Sequence, residues 1–586
     1  MTITFFNRSN VLIELMLNVS ILDGYVDEPT CLGVPPFISP YPRYIAGAIW
    51  CYDKHANIFY FTIDQIRNDK KLLNFFLKSD LLVVIAGMIV PGRYLSGYPV
   101  SPNEILFLLH NLKKPVKVLI GPAARYGFGL SGGKKTINTT VVKDVFNLVI
   151  SGDGEIVIFE LLKNNLNLDV INPSLFRSNP SEIKNFAIYG SKIVNQHPFF
   201  PEYLIAEIET YRGCPRSIVG GCSFCSEPTK GSPSFRRIEE IVDEIDSLYK
   251  IGIRHFRIGN QPCIFSYMAK DAGTQEFPKP NPVAMESLFK GIRSVASSLK
   301  TLHIDNANPG VIARYPEECK KIAKSIIKYH TPGNVAAFGV ESADPSVIKK
   351  NNLKASPDEV LFAIELLNEV GSKRGDNGLP ELLPGLNFVF GLIGETKNTF
   401  VINYEFLKLI YDKGLLIRRI NLRQALLIPG TKMFEFGNKN IVKNKAEFLR
   451  FKRKLREKIE RPMFKRILPQ DTVIKNVFTE IYKGKVTFGR QIGSYPILVG
   501  MPGVFPLHRF FDVKIVDHGY RSVTALPFPI DINNAFIETL AAIPSIGKKR
   551  AVRIIKNRPY TNKNEIIKSI DDPKIGKKIL NYINLK

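Results

Sequence analysis

Three of the seven cysteines in this chain of 586 residues lie in one short stretch, YRGCPRSIVGGCSFC (residues 211–225). The three are Cys214, Cys222 and Cys225, and their thiolates are metal ligands. No histidine stands among them, so the stretch supplies three ligands and lacks the fourth that closes a tetrahedral zinc site. The open position raises the question of what chemistry three thiolates could perform.

Four interpretations are open from the residues alone. A structural zinc site would need Cys263 or His255 as its fourth ligand, and both belong to a predicted β/α unit. A redox pair of Cys222 and Cys225 would leave Cys214 without a role. The three cysteines could be unrelated. The last interpretation is an iron–sulfur cubane that is held by three thiolates and has one iron free for another ligand.

The residues around the cysteines resemble the radical SAM superfamily. A strand-like stretch precedes them, and the aromatic Phe224 stands before the last cysteine, as in that family's C-x-aromatic-C ending. The resemblance implies a [4Fe–4S] cluster whose open iron binds S-adenosyl-L-methionine (SAM), with Phe224 near the adenine. It also implies cleavage of SAM to a 5′-deoxyadenosyl radical. The first spacer, PRSIVGG, has seven residues and is longer than the family's usual one.

Two later stretches are similar to SAM-binding motifs of that superfamily. RIGNQP (residues 257–262) lies where the family has a GGE-like turn that holds the SAM amino group, so the resemblance assigns Gly259 and Asn260 to the cofactor. FGVESADPSVIKKNN (residues 338–352) resembles the fourth-strand motif of the methylthiotransferase and Elongator-like branch. Glu341 is the candidate for contact with the ribose.

Two further stretches resemble motifs of the same branch. NFVFGLIGET (residues 387–396) resembles its fifth-strand GxPGET, with isoleucine in place of proline, and this assigns Asn387 and Gly391 to the cofactor. LLIPGT (residues 426–431) resembles its sixth-strand RPGT. Each motif alone could be an ordinary strand-to-helix turn, but all four follow the cysteines in order.

Strand-like and helix-like stretches alternate along most of the chain, which predicts an α/β fold with parallel sheets. The length calls for several domains. We expect a Rossmann-like domain, a partial or full β/α barrel, a basic helical connector, a small β module and a helix-hairpin-helix domain. Their predicted ranges are 1–195, 200–440, 441–484, 485–530 and 531–586.

The order of a Rossmann-like domain, a GDGE turn (residues 152–155) and a barrel resembles the cobalamin-binding radical SAM enzymes. In that group a GEGE turn closes the cobalamin domain. The first 200 residues hold no DxHxxG motif, and Cys31 and Cys51 do not supply the three cysteines of a second cluster. Cobalamin therefore stays an open alternative, and the domain could serve instead as a platform for the substrate.

The stretch IDINNAFIETLAAIPSIGKKRAVRIIKNRP (residues 530–559) resembles helix-hairpin-helix modules that bind nucleic acid. In such a module the glycine turn exposes backbone N–H groups at a helix start, where they and basic side chains hold a phosphate. The residues assigned to this role are Gly547, Lys548, Lys549 and Arg550. A degenerate second copy is predicted over residues 572–583. The alternative is a helical docking domain that binds no nucleic acid.

The chain is strongly basic, with a formal net charge of +26 and a pI near 9.6. Such a charge favours a polyanionic partner, and nucleic acid, with RNA favoured over DNA, ranks before an anionic membrane. Lysine-rich usage typical of a thermophile or an AT-rich genome would also explain it. The start of the sequence lacks the pattern of a signal peptide, and the longest apolar run is too short to span a bilayer, so we expect a cytoplasmic protein without a membrane partner.

Three hypotheses for the function follow. The first is a radical SAM enzyme that takes electrons from an external donor and modifies a nucleoside in RNA, with tRNA favoured. The second is a cobalamin-dependent radical SAM methylase that acts on a small molecule or a protein. The third is a non-catalytic nucleic-acid-binding protein with a structural metal.

Overall fold

The structure is a computed structural model that describes residues 16–28, 31–88, 97–129 and 131–585. It confirms the predicted α/β fold class, with parallel sheets in the first two thirds of the chain. Within the described ranges no helix is both long enough and apolar enough to cross a bilayer.

The amino-terminal region contains a five-stranded parallel sheet with the order β5-β1-β6-β7-β8, the order of flavodoxin-like folds. Its central strand β6 is the apolar stretch LLVVI, and every residue of it is buried. Apolar side chains cover both faces, as in other parallel sheets. The strands of this region are β1 (Asn18–Asp23), β2 (Val26–Glu28), β3 (Cys31–Gly33), β4 (Phe37–Ile38), β5 (Asn57–Thr62), β6 (Leu81–Ile85), β7 (Val116–Ile120) and β8 (Leu148–Val149). The helices are α1 (Pro40–Tyr52), α2 (Ile63–Asn68), α3 (Leu73–Lys78), α4 (Pro102–Leu109), α5 (Pro122–Tyr126), α6 (Gly154–Lys163) and α7 (Lys184–Gly190).

The middle region is a partial β/α barrel made of two parallel sheets, with the orders β13-β12-β9-β4 and β14-β15-β16-β17. Helices follow the strands and pack outside them. The strands are β9 (Ile205–Glu209), β10 (Tyr211–Arg212), β11 (Ser234–Phe235), β12 (His255–Gly259), β13 (Thr301–Ile304), β14 (Asn306–Ala307), β15 (Asn334–Glu341), β16 (Leu382–Phe390) and β17 (Arg419–Gln424). The helices are α8 (Ile238–Ile251), α9 (Pro282–Val295), α10 (Pro309–Arg314), α11 (Pro316–Tyr329), α12 (Pro345–Lys350), α13 (Pro357–Gly371) and α14 (Lys397–Asp412).

The inner face of this half-barrel is polar, whereas its outer face is apolar. Alternate residues of each strand point to opposite faces, and the outward residues of β9, β12 and β15, such as Ile208, Ile258 and Phe338, join the main core under the helices. The inward residues include the ion pairs of Arg257 with Glu207 and Asp305. Charged residues inside a parallel barrel indicate a site for chemistry rather than a packed core.

Basic helices connect the half-barrel to a second, smaller barrel. They are α15 (Lys432–Phe436), α16 (Lys439–Lys443), α17 (Lys445–Leu455) and α18 (Arg461–Ile467), and a π-helical turn (Arg456–Glu460) joins the last two. The predicted helical connector over 441–484 is too long, because strand β18 begins at Val473. Two register shifts along β18 disrupt the alternation of apolar and polar residues, which concealed this strand in the sequence.

The smaller barrel has five strands and is closed, with the order β18-β19-β20-β22-β21. All its strand pairs are antiparallel except β20 with β22. This order and this single parallel pair are the connectivity of an OB-fold. The strands are β18 (Val473–Lys483), β19 (Val486–Gln491), β20 (Leu498–Pro502), β21 (Phe510–His518) and β22 (Ser522–Pro527).

The carboxyl-terminal segment is a small helical unit with its own apolar core. Strands β23 (Ile530–Asp531) and β24 (Ile583–Asn584) pair in parallel and so bring the first and last residues of this unit together. Its helices are α19 (Ile537–Ala541), α20 (Gly547–Lys556), α21 (Lys563–Lys568) and α22 (Pro573–Ile579). The turn between α19 and α20 places Ser545 and Gly547 at positive φ, which a tight turn between two helices requires.

Candidate functional site

The three cysteines lie in a loop at the carboxyl end of β9, the edge at which β/α barrels place their active sites. The short strands β10 and β11 pair antiparallel and close the base of this loop. The backbone N–H of Cys225 donates to the carbonyl of Cys222 at 3.1 Å, so the last two cysteines share one tight turn. We call residues 213–233 the cysteine loop.

The long spacer between the first two cysteines is folded, not extended. Residues Pro215–Val219 form a 3₁₀ turn, after which Gly220 and Gly221 both adopt positive φ and reverse the chain toward Cys222. A side chain on Gly221 would overlap the ring of Pro228. The Asn352 side-chain amide donates to the carbonyls of Val219 and Gly221, each at 2.9 Å. The spacer residues thus form a compact turn that is held by hydrogen bonds to Asn352, just after α12.

The spacer also brings a buried arginine to the second cysteine. Arg216 Nη1 lies 3.0 Å from the sulfur of Cys222, while its Nε donates to Glu276 at 2.8 Å and its Nη2 to Asn352 at 3.2 Å. The arginine is 3% exposed. Sequence reasoning did not assign Arg216, although its place inside the unusually long spacer was a signal that could have identified it.

Burial favours the protonated forms of Cys214 and Cys225 when no metal is bound. Burial, with a smaller contribution from the nearby Cys222, raises the pKa of Cys214 to about 12. Burial and both neighbouring thiols also raise the pKa of Cys225. A bound metal reverses this preference because its positive charge stabilises the thiolates. Among the described residues no three His, Cys, Asp or Glu side chains lie close enough to share a single metal ion, whereas in an iron–sulfur cubane each thiolate binds a different iron.

The two residues considered as a fourth zinc ligand have other partners. His255 lies at the start of β12, at the opposite end of the strand from the cysteine loop, and its Nδ1 is 2.8 Å from the hydroxyl of Thr301. Cys263 is buried, and its sulfur accepts from the backbone N–H of Asn308. Neither residue completes a tetrahedral site with the three loop cysteines.

The predicted SAM turn at the end of β12 lies beside the cysteine loop. Gly259 pairs in register with Glu209, and a side chain at Gly259 would overlap the carboxylate of Glu207. Asn260 has φ of 54°, and its side-chain amide donates to Glu209 at 3.2 Å. Among the described residues its side-chain oxygen has no hydrogen-bond partner, so this buried acceptor is available to a ligand.

Glu341 ends β15 at the same edge, as predicted for a ribose contact. Its φ is +64°, and the residue is buried. Burial raises the pKa of Glu341 to about 7, and Lys354, whose ammonium lies 3.9 Å away, opposes the increase. Burial lowers the pKa of Lys354, but Glu341, Cys222 and Cys225 raise it more strongly. The positive charge of Lys354 is therefore stabilised both by Glu341 and by the cysteine loop.

The other predicted cofactor residues occupy separate places around this edge. Phe224 packs in an apolar cluster with Cys222 and the side chains of Leu392, Leu427 and Met433. Asn387 lies farther down β16, where its side-chain oxygen accepts from Asn421 at 2.8 Å. Gly391 has φ of +89° and follows β16 directly, and a side chain there would overlap Ile441. The structure thus groups Phe224, Asn260 and Glu341 near the cysteines, while Asn387 is deeper and Gly391 is a turn residue.

A loop of the OB-fold barrel enters the half-barrel, which sequence reasoning did not anticipate. The hydroxyl of Tyr495 donates to Asp305 at 2.5 Å, and the backbone N–H of Ser494 donates to His303 Nδ1 at 3.1 Å. The guanidinium of Arg419 lies 5.1 Å from the centre of the Tyr495 ring. The short loop between β19 and β20 therefore forms part of the wall of the half-barrel interior.

A cavity of about 350 Å³ separates the amino-terminal sheet from the cysteine loop. The ends of β7 and β8 form one side, and Asn260, Thr229 and Lys230 form part of the other. Seven lining residues are charged: Arg125, Asp153, Glu155, Arg177, Glu209, Arg212 and Lys230. The volume is in the range of small-molecule sites, and no histidine is among the described lining residues.

The predicted phosphate-binding residues lie in a different module, the helical unit at the carboxyl terminus. Lys548 and Lys549 are exposed in the first turn of α20, and a side chain at Gly547 would meet no atom within 4 Å. Arg550 differs, because its Nε donates to Asp571 at 2.5 Å and its Nη1 to the carbonyl of Ser545. The turn therefore offers two exposed lysines and one arginine that is already paired.

The second predicted hairpin copy differs from the first. Gly576 lies inside α22 and packs against Ile567 rather than forming the turn. Asp572 caps α22 by accepting from the backbone N–H groups of Lys574 and Ile575. A carboxylate thus occupies the place where a phosphate would bind, so α21 and α22 do not form a second phosphate-binding hairpin.

Comparison with known proteins agrees with this site. The radical SAM superfamily matches residues 208–407, which contain the cysteine loop. An uncharacterized protein of Methanocaldococcus jannaschii is 49% identical over 88% of this chain and 94% of its own length. A tRNA-2-methylthio-N(6)-dimethylallyladenosine synthase of Desulfotalea psychrophila is 25% identical over 37% of this chain and 44% of its own. Among solved structures, the radical SAM methyltransferase TsrM of Kitasatospora setae with cobalamin and a [4Fe–4S] cluster bound aligns at TM-score 0.47 and 13% identity, over 72% of this chain and 77% of its own.

Proposed function

We propose that this chain, which belongs to the radical SAM superfamily, modifies a nucleoside in RNA, with tRNA as the favoured substrate. The chain is an enzyme with a [4Fe–4S] cluster and SAM as cofactors, so the hypothesis of a non-catalytic protein is wrong. The observation that carries the RNA proposal is the OB-fold barrel, whose β19–β20 loop lines the half-barrel interior through Tyr495. Barrels of this connectivity commonly bind oligonucleotides.

The cysteine loop holds the cluster through Cys214, Cys222 and Cys225 in this proposal. When bound, the cluster supplies the electron that cleaves SAM, and it receives that electron from an external donor. The Arg216 guanidinium beside Cys222 stabilises the added negative charge of the reduced state. The turn at Gly259 and Asn260 would hold the SAM amino group, and Phe224 would lie near its adenine.

The carboxyl end of β15 orients the rest of SAM. Glu341 is buried and would accept hydrogen bonds from the ribose hydroxyls, and Lys354, whose ammonium lies 3.9 Å from Glu341, would offer its charge to the SAM carboxylate. Gly391, through the turn that it permits, and the deeper Asn387 would border the adenine side. Glu341 ends β15 and Gly391 directly follows β16, which favours a fixed geometry for the reaction.

The basic surfaces bind the RNA backbone in this proposal. Lys548 and Lys549 are exposed at the start of α20, and α17 carries five basic residues among its eleven. Contacts of this kind position a nucleic acid without reading its sequence. The distant tRNA-modifying relative gives the choice of tRNA its support.

Anaerobic reconstitution tests the proposed function. The purified protein with iron, sulfide, SAM and dithionite is incubated with tRNA from a strain that lacks the gene, with DNA of equal length, or with no polymer. We expect tRNA alone to stimulate formation of 5′-deoxyadenosine and to gain a modified nucleoside. SAM cleavage that occurs equally with all three additions, and tRNA that stays unchanged, would contradict the RNA part.

A cobalamin-dependent methylase is the second candidate, and the cavity at the carboxyl ends of β7 and β8 favours it, because α/β sheets bind ligands at that edge. The described lining contains no histidine that could bind the cobalt of cobalamin. The protein is mixed with hydroxocobalamin, and the bound fraction is scanned for visible absorption after gel filtration. Retention of one cobalamin per chain would favour this candidate over RNA modification.

A further inference from the structure

We infer that the cavity between the amino-terminal sheet and the cysteine loop receives one nucleotide extruded from the RNA. This inference rests on the proposed function and specifies where the substrate binds. Enzymes that act on a base within a folded nucleic acid take that base out of its stack and hold it in a pocket. The cavity has about 350 Å³, and two of the chain's domains form its walls.

One wall carries an arginine held between two aromatic rings. The guanidinium of Arg125 lies 4.8 Å from the centre of the Phe176 ring and 5.2 Å from that of Tyr126. Phe176 is 44% exposed and lines the cavity, so part of its ring is open to a ligand there. Extruded bases stack on aromatic rings and on guanidinium planes, and an arginine also binds phosphate. This triplet offers both interactions at one place.

The part of the lining next to Phe176 is fixed by ion pairs. The Arg177 guanidinium pairs with the carboxylates of Glu155 at 2.9 Å and Glu209 at 2.7 Å. The Arg212 guanidinium pairs with those of Asp153 at 2.5 Å and Glu209 at 3.0 Å. These pairs tie the turn after β8 to the end of β9. Their rigidity means that binding of a nucleotide would not require this wall to become ordered.

Two buried polar groups in the lining have unused hydrogen-bonding capacity. Among the described residues, Arg177 Nη2 and the Asn260 side-chain oxygen have no hydrogen-bond partner. Arg177 and Asn260 are both more than nine-tenths buried. Both atoms are closed to solvent, so a shift of either side chain toward the cavity would bring a donor or an acceptor to the edge of a bound base.

The position of the cavity relates it to the reaction. Asn260 belongs to the predicted SAM turn, whose backbone would hold the SAM amino group, so its side chain is left for the substrate. Thr229 and Lys230 follow the last cysteine by a few residues within the same loop. A base stacked on the Arg125 triplet would therefore lie in a cavity that also borders the SAM turn. The amino-terminal domain acts in this arrangement as the platform for the substrate.

Ultraviolet cross-linking of the reconstituted enzyme to tRNA from a strain that lacks the gene locates the nucleotide directly. We expect cross-linked peptides that contain Tyr126 or Phe176, in addition to peptides of the OB-fold barrel and the helical unit. Cross-links confined to the carboxyl-terminal modules would overturn the inference while leaving RNA modification intact.

The variant Phe176→Ala tests the stacking contact. Loss of one stacked base should lower kcat/KM for tRNA modification about tenfold or more. Phe107→Ala is the matched control, because Phe107 is also an exposed phenylalanine, at 79%, and lies on α4 of the same domain. Like Phe176 it has a cation near its ring, the ammonium of Lys70 at 5.7 Å from the ring centre. Equal kcat/KM values for the two variants would contradict the inference.

The two proposals can fail separately. If the enzyme modifies tRNA but Phe176→Ala has the activity of wild type, the cavity inference is wrong and the proposed function stands. If no RNA is modified and hydroxocobalamin binds to wild type but not to an Arg125→Glu variant, both are wrong and the cavity holds the corrin.

Discussion

The cysteine loop and the first turn of α20 both contain glycine and basic residues, yet they are built differently. In the cysteine loop, Arg216 is held by Glu276 and Asn352, and a side chain on Gly221 would overlap the ring of Pro228. In the first turn of α20, Lys548 and Lys549 are exposed, and the space around Gly547 is open. One region is fixed by its neighbours, and the other presents charge to the solvent.

This difference predicts two kinds of response to mutation. A preorganised site fails when one ligand or one orienting group is removed, and salt affects it little because its charges are buried. A surface that works by charge loses affinity in proportion to the charges removed and depends strongly on salt. Five variants test this comparison.

Cys222→Ala should have the largest effect. Loss of one of three thiolates leaves too few ligands for a stable cluster, so iron and sulfide content should fall and SAM cleavage should drop to background. Iron and sulfide analysis with electron paramagnetic resonance of the reduced protein measures this. Cys51→Ala, on α1 and away from the loop, is the control and should keep a full cluster. A fully loaded Cys222→Ala protein would contradict the ligand assignment.

Glu341→Gln should weaken SAM binding about tenfold, because a hydrogen bond to a charged acceptor is stronger than one to an amide. Equilibrium dialysis with labelled SAM on the reconstituted protein gives the Kd. Glu369→Gln, an exposed residue of α13, is the control. Equal affinity in wild type and Glu341→Gln would remove Glu341 from the cofactor site.

Lys548→Glu combined with Lys549→Glu should weaken tRNA binding several-fold at moderate salt, and by less as salt is raised. Each lost phosphate contact should reduce the slope of log Kd against log salt by about one. Filter binding over a salt series measures the slope. A double variant that binds tRNA with the affinity and salt slope of wild type would show that this turn does not contact RNA.

Arg216→Gln should lower the reduction potential of the cluster by an amount on the order of tens of millivolts, because the sulfur of Cys222 loses a charged hydrogen-bond donor. Potentiometric titration followed by electron paramagnetic resonance measures the shift. Arg216→Lys, which keeps the charge, should recover part of it. If Arg216→Gln loses its cluster instead, the residue is needed for the fold of the loop rather than for tuning.

Arg550→Ala should have the smallest effect, within about twofold of wild type in tRNA binding, because Asp571 already pairs with this guanidinium. The same filter-binding series measures it. A decrease as large as that of the double lysine variant would show that Arg550 leaves Asp571 to bind RNA.

Local patterns in the sequence predicted much of the fold. The parallel sheets of the first two thirds of the chain and the strand that leads into the cysteine loop lie where the patterns indicated. The spacing of the cysteines placed them in one loop at the carboxyl end of a strand. These features depend on neighbours in sequence, which is why the sequence alone carries them.

Contacts between distant segments could not be predicted in the same way. The approach of Tyr495 to Asp305 joins residues that are 190 positions apart. The pairing of Arg550 with Asp571 depends on how two helices pack, and the bulges of β18 conceal a strand from any periodic pattern. Arg216 was visible only as part of an unusual spacer, because its partners come from other elements.

Nucleoside mass spectrometry of tRNA and rRNA tests the central claim most directly. RNA from a strain that lacks the gene is compared with RNA from the same strain complemented by wild type or by Cys222→Ala. We predict one nucleoside that is present with wild type and absent both without the gene and with Cys222→Ala. Identical nucleoside profiles in all three strains would contradict the account.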